Sequence, residues 1–412
     1  MQDRRVVITG IGPITPIGIG KEKYWDGLIN KKSGVKAITH LDASKFNSRI
    51  AAMVEDFNVE DYIDKREARR MDRFLQFGVS SAKMAVSDSK LNESNYDKDR
   101  VGVIIGSGIG GLGIFEEQHS LYLKTNKVSP FFIPMLITNM ISGRVAIEYG
   151  FRGPNFSVTS ACATANHSIG TSYELIKRGK AEVIIAGGAE AAVTPMGIQG
   201  FAIMKALSTR NDEPEKASRP FDKDRDGFVI GEGAGTVVLE ELEHAKNRGA
   251  KIYAEMIGVG MSDDAYNMVA PCEDGAAAAL CIKRCLEDAQ IKPEDVDYIN
   301  AHGTSTYLGD LAEIRGIKKA FGDARKKVMV SSTKSMIGHL LGAAGGVELI
   351  ATILGMEHGV VLPTINLDNQ EEEIDIDLVP NVERKKDIKI ALSNSFGFGG
   401  HNCTIAIKKF EE

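Results

Sequence analysis

Apolar positions fall into short continuous runs, separated by glycine-rich turns and by stretches of helical period. Val6-Val7-Ile8-Thr9-Gly10 predicts a buried strand over 4–10 that ends in a glycine turn. Further apolar runs predict strands over 101–105, 183–186 and 235–239. Helices are expected over 24–29, 64–90, 135–149 and 163–178; the second carries Phe74, Phe77, Ala82, Ala85 and Val86 on one face. The same grammar then returns. Strands are expected over 252–259, 298–300, 328–330, 389–392 and 404–407, with helices over 275–288, 311–321 and 339–355. The two series also end alike. Gly231-Glu232-Gly233-Ala234-Gly235 and Gly397-Phe398-Gly399-Gly400 each feed an apolar strand. The pattern predicts an internal duplication of about 200 residues per half, each half mixed α/β. The halves are drawn as 1–250 and 251–412, with a site at their seam, beyond strand ends.

One stretch carries candidate chemistry. Asn155-Phe156-Ser157-Val158-Thr159 reads as a strand, and 163–178 as a helix stopped by Gly179. Cys162 lies at the turn between them, like the nucleophile elbow of hydrolases with sulfur for oxygen. The positive end of the helix dipole there is expected to favour thiolate. A small buried hydrophobe is the alternative reading of the same cysteine.

Composition narrows the class. The chain has 412 residues, 43% apolar and 26% charged, with 43 glycines, as in a soluble globular protein rich in tight turns. A net charge of −6 gives no global attraction for nucleic acid or an anionic membrane. Cys162, Cys272, Cys281, Cys285 and Cys403 form no Cys-x-x-Cys pair, so neither a disulfide framework nor a zinc site is expected. Met1-Gln2-Asp3 leads straight to the first strand, so no signal peptide is expected. The apolar run 336–356 contains His339 and Glu348 and is too polar for a membrane span. A reducing cytoplasm is the expected compartment.

Two motifs mislead. Gly106-Ser107-Gly108-Ile109-Gly110-Gly111 fits the dinucleotide fingerprint, but a dinucleotide site needs a helix at once and then a strand ending in an acid, whereas Glu116-Glu117-Gln118-His119 leads into a loop with Pro130 and Pro134. Asp222-Lys223-Asp224-Arg225-Asp226-Gly227 opens like a calcium loop, yet its twelfth position is Gly233. A charged turn is expected, with Arg219, Lys223 and Arg225 paired to its aspartates.

Partners for the cysteine lie in the second half. His302 follows a short strand within Asn300-Ala301-His302-Gly303-Thr304-Ser305-Thr306. His339 precedes a helix of tiny residues, where its imidazole should stay neutral. Lys334 brings a positive charge nearby. Asn394-Ser395-Phe396-Gly397-Phe398-Gly399-Gly400-His401 offers amides for an oxyanion hole and rings to cover an apolar chain.

Together these segments resemble the β-ketoacyl-acyl-carrier-protein synthases, elongating condensing enzymes of the thiolase-like superfamily. Arg219-Pro220-Phe221-Asp222, 206–211 and 227–233 extend the likeness over essentially the whole chain. A Cys-His-His set marks the elongating branch, and Ile109 matches a pocket residue of its type II members. The resemblance implies a five-layered αβαβα fold from two duplicated halves, acyltransferase activity in fatty-acid elongation, and a homodimer. A polyketide-type ketosynthase or a type I elongating synthase is the alternative. It implies Cys162, His302, His339, Lys334 and Phe398 as catalytic. Thr304 and Thr306 would hold the phosphopantetheine arm, and Ile109, Phe201 and Phe396 would meet the substrate chain. No cofactor is implied beyond the arm of the acyl carrier protein. Arg66, Arg69, Arg70 and Lys205 would dock that acidic partner. No metal is required, although Asn300, Glu313, Glu348, Ser393 and Asn394 match positions around a monovalent cation in some relatives. The family's proline after Thr306 is replaced by Tyr307-Leu308.

Overall fold

The computed structural model describes residues 4–411. Met1–Asp3, on which the signal-peptide expectation rests, lie outside the described residues. Eleven strands form one sheet, and its pairing order repeats. In the first half Val6–Thr15 pairs with Gly233–Glu241, which pairs with Val183–Glu190, then Val101–Gly106, then Asn155–Phe156. The pairings run antiparallel, antiparallel, parallel, parallel. In the second half Ala254–Asp263, His401–Lys408, Ile390–Gly397, Tyr298–Asn300 and Met329–Ser331 follow in the same order with the same senses. The two sets meet where Val6–Ile8 pairs with Ala254–Met256. This repetition is the expected duplication.

Helices Thr164–Lys177 and Ala344–His358, one from each half, pack on each other and reach both sets of strands. Arg73–Asp88 and Met140–Tyr149 cover the outside of the first set, and Ala276–Ala289 with Tyr307–Phe321 the outside of the second. The layers therefore alternate helix, sheet, helix, sheet, helix. Burial on two sides explains the sequence of the middle layer. All ten residues of Val6–Thr15 are buried, and Ala344–His358 is buried around nearly its whole circumference. Each fully buried Val, Leu or Ile there stabilises by about 1.5–3 kcal/mol. Small residues set the spacing of the layers. A Cβ on Gly346 would lie 2.3 Å from the Gly235 carbonyl oxygen.

Several elements differ from their sequence pattern. The helix expected over 64–90 is two, Lys65–Ala68 and Arg73–Asp88. Asp72 breaks it, because its carboxylate accepts the Phe74 N–H (3.1 Å) and the Ile114 N–H (2.8 Å). The helix over 135–149 is Phe132–Leu136 and Met140–Tyr149, with Ile137 extended between them. The strand over 155–159 keeps only Asn155–Phe156. The helix over 339–355 is a single 3₁₀ turn, Leu341–Ala343, followed by Ala344–His358. The helix read as missing after the glycine run is present as Leu112–Thr125, which contains 116–119 and starts directly after Gly111. In the turn at 222–227 only Arg219 pairs with a local aspartate, Asp222 at 2.9 Å. Arg225 is turned to Asp310 and Glu371, and Lys223 to Glu372.

Candidate active site

Cys162 sits in a single 3₁₀ turn, Ala161–Ala163, that leads into Thr164–Lys177. Ala161 adopts a left-handed backbone, φ 49°, at a cost of about 1 kcal/mol. Local bonds hold the turn. The Ser160 N–H donates to Thr164 Oγ1 (2.9 Å), and Ser160 Oγ lies 2.8 Å from His167 Nδ1. Burial lowers His167 to about 4, so that ring is neutral. The turn presents Cys162 to a cavity of about 400 Å³, also lined by His302, His339, Phe201, Phe396 and Phe398.

The electrostatics of the cavity correct one expectation. Burial pushes the Cys162 thiol up to about 11, although the Phe398 N–H and the Lys334 charge pull the other way. Desolvation outweighs the helix terminus, so the resting group is a thiol and not the expected thiolate. Both histidines are neutral, as expected for His339. Burial, reinforced by Lys334, holds His302 and His339 well below the ordinary imidazole value. Their rings meet edge to face with centroids 5.2 Å apart. Each Nδ1 is buried without a protein partner, and both residues line the cavity.

The supporting groups come from several segments. Glu313 fixes the backbone of the first histidine, accepting the His302 N–H (2.8 Å), the Gly303 N–H (2.7 Å) and Asn394 Nδ2 (3.0 Å). Lys334 is buried and paired with Glu348. Phe398 stands in the turn between Ile390–Gly397 and His401–Lys408, with its N–H directed at the Cys162 sulfur. Phe201 and Phe398 approach to 6.2 Å, and Phe396 lies 6.0 Å from the His302 ring. Thr304 and Thr306 line the same cavity with their hydroxyls 3.0 Å apart, and Thr306 makes no side-chain cap to the helix it precedes.

Not every expected residue converges here. Ile109 is 39% exposed and lies outside the cavity lining. Lys205 is at the cavity rim, but Arg66, Arg69 and Arg70 are not. Arg66 and Arg69 are exposed, whereas Arg70 bonds Glu67 (3.3 Å) and lies 4.6 Å over the Phe131 ring. The break at Asp72 leaves Arg69 and Arg70 at and beyond the end of a four-residue helix, so helical spacing does not align the three. Of the five cation candidates, Glu313 and Asn394 are used by internal hydrogen bonds. Asn300 Oδ1, Glu348 Oε2 and Ser393 Oγ are buried oxygens without a partner, and Asn300 and Ser393 are register neighbours.

Two residues near the site escaped the sequence reading. Phe228 meets His339 edge to face at 5.3 Å. Glu190 receives the Ser107 hydroxyl and the Gly108 and Ile109 amides, so a resident carboxylate fills the glycine-rich loop that a phosphate would need. That occupancy, and not a missing helix, argues against nucleotide binding. The available signal was one acid closing the apolar run Val183–Glu190.

Comparison with known proteins agrees with this geometry. The family description "Beta-ketoacyl synthase, N-terminal domain" matches residues 3–245, and "Beta-ketoacyl synthase, C-terminal domain" matches 253–368. The chain is 53% identical to the 3-oxoacyl-acyl-carrier-protein synthase 2 of Vibrio harveyi, covering 100% of both chains. It is 50% identical to the protein of that name in Synechocystis, covering 100% of this chain and 99% of the other. A solved type II polyketide ketosynthase in complex with its acyl-carrier protein is 35% identical, with a TM-score of 0.92 over 100% of both chains. A beta-ketoacyl synthase from Burkholderia phymatum is 33% identical, with a TM-score of 0.92 over 99% of this chain and 100% of that one. The chain belongs to the beta-ketoacyl synthase family.

Proposed function

We propose that the protein elongates fatty acids by decarboxylative Claisen condensation of an acyl group with malonyl-acyl carrier protein. The observation that carries this reading is one cavity lined by a thiol and two imidazoles held neutral. Identity of 50% or more to 3-oxoacyl-acyl-carrier-protein synthases, against 35% to a polyketide ketosynthase, favours fatty-acid over polyketide elongation.

In the first step Cys162 Sγ attacks the carrier thioester. The new C–S bond forms first and turns the carbonyl into a tetrahedral oxyanion; as that collapses the old C–S bond breaks, and the thiol proton leaves with the pantetheine sulfur. The N–H groups of Cys162 and Phe398 stabilise the oxyanion; such a donor is worth about 3–4 kcal/mol. Malonyl carrier then enters, and its thioester oxygen accepts hydrogen bonds from His302 and His339. Its C–C bond to the carboxylate breaks, carbon dioxide departs, and the enolate attacks the acyl carbonyl. The Cys162–acyl bond breaks, and the freed sulfur takes a proton from water. Neutral imidazoles suit this step, since they donate hydrogen bonds without holding a full charge. Lys334 acts through its field on both rings. Thr304 and Thr306 hold the arm, while Phe201 and Phe396 flank the chain.

The nucleophile belongs to the half 1–250 and both histidines to 251–412, so the reaction needs the seam intact. Arg66, Arg69 and Arg70, with Lys205 at the rim, receive the acidic carrier. A second copy covers the exposed Phe131, Ile133 and edge-strand Phe156, giving a homodimer; a single-chain mass in sedimentation would remove it. Asn300 Oδ1, Ser393 Oγ and Glu348 Oε2, buried without a protein partner, are oxygens of the kind a hard monovalent cation would take as ligands. Cytoplasmic residence fits five free cysteines. The test is to supply acyl carrier and malonyl carrier together. Carbon dioxide and a 3-oxoacyl carrier lengthened by two carbons are expected in equal amounts; lack of both with folded protein would refute the reading.

A further inference from the structure

Glu190 closes the buried strand Val183–Glu190 and is itself fully buried. Its carboxylate joins two distant segments. Oε1 accepts from Ser107 Oγ (2.7 Å) and the Ile109 N–H (3.2 Å). Oε2 accepts from the Gly108 N–H (2.9 Å) and the Gly342 N–H (3.0 Å). Burial raises its pKa, but three of the four groups facing it are backbone amides that can only donate. They fit a carboxylate and would leave an acid proton poorly placed.

The two segments flank the nucleophile. Gly108 packs on Ala161, since a Cβ there would meet the Ala161 carbonyl oxygen at 3.3 Å. Gly342 belongs to Leu341–Ala343, which duplicates Ala161–Ala163. Both are single 3₁₀ turns leading into a long middle-layer helix, and both open on a left-handed residue, Leu341 at φ 50° and Ala161 at φ 49°. The two turns pack against each other. Gly342 therefore stands where Cys162 stands in the other half. No side chain fits there, because its Cβ would lie 2.4 Å from the Gly108 nitrogen. The second-half turn uses its amide to hold a permanent anion; the first-half turn must hold a transient one.

We propose that Glu190 is a positioning residue for acyl transfer. Its carboxylate clamps the 107–109 loop and the Leu341–Ala343 turn around Ala161–Ala163, and so fixes the aim of the Cys162 sulfur. This rests on the reading that Cys162 is acylated. Glu190→Gln replaces one acceptor oxygen with a donor that faces other donors, loosening the clamp without removing its volume.

The experiment compares wild type and Glu190→Gln in three assays: acyl transfer to Cys162 by rapid-quench mass measurement, decarboxylation of malonyl carrier without acyl donor, and alkylation of Cys162 by iodoacetamide against pH. Acyl transfer should slow about 100-fold, the order of loss from an ångström of misplacement. Decarboxylation should be unchanged. The alkylation midpoint should fall, because a negative charge beside the thiol is gone while Lys334, His302 and His339 remain. Acyl transfer at the wild-type rate would overturn the proposal, and so would an equal fall in both half-reactions. Ser107→Ala removes one of the four donors and carries the same test if Glu190→Gln does not fold; a loss of about tenfold confined to acyl transfer is expected. A wild-type protein that forms no acyl adduct would instead defeat the reading of Cys162, whatever the variant does.

Discussion

At Cys162 two local influences oppose each other. The turn places the sulfur before a helix, which lowers a thiol pKa, while the closed cavity raises it to about 11. Burial prevails, and the group rests protonated. Alkylation by iodoacetamide follows the thiolate, so its rate constant should climb through neutrality and not level off until near pH 11. Levelling between pH 6 and 7, as for an activated thiolate, would contradict this balance. The residues that line the cavity beside the sulfur were legible because their types are unusual where they occur. His302 follows a buried strand and His339 precedes a helix of glycines and alanines, positions where packing alone does not call for imidazole. Glu190 was not legible, because its partners are amides at Gly108, Ile109 and Gly342, and a backbone donor leaves no mark in the sequence.

Among the elements, buried strands formed where the apolar runs lie and Tyr298–Asn300 has the limits the pattern predicted, but others run further: Val6–Thr15 passes straight through the turn expected at Gly10, and Val183–Glu190 and Ile390–Gly397 extend beyond their apolar runs. The helices over 64–90 and 135–149 are each split in two, because single side chains and extended residues interrupt them without disturbing the apolar period. Asp72 is the instructive case. Its carboxylate caps Arg73–Asp88 and also bonds the Ile114 N–H, a tertiary contact that no local window contains. The middle layer depends on small residues at fixed points. Gly346→Ala would place a methyl 2.3 Å from the Gly235 oxygen, on backbone that is buried from both sides. A loss of about 1–3 kcal/mol is expected, with a lower thermal midpoint in calorimetry; an unchanged midpoint would mean that the layers yield more easily than their packing implies.

On the scale of the whole molecule, two repeated halves have diverged at equivalent turns. One keeps a cysteine over the cavity, and the other keeps a glycine that tightens the seam. The duplication was readable from matching glycine turns and strand order, whereas the pairing of the two turns required the fold. If Arg66, Arg69 and Arg70 receive the carrier, replacing Arg69 and Arg70 with glutamate should raise KM for carrier-linked substrate about tenfold and spare a short pantetheine thioester; equal effects on both substrates would rule out docking there. The most direct measurement of the whole account is the intact mass of the protein after incubation with acyl carrier. Wild type should gain one acyl group and Cys162→Ala none, and a variant that still gained the acyl mass would show that the chemistry runs through another residue.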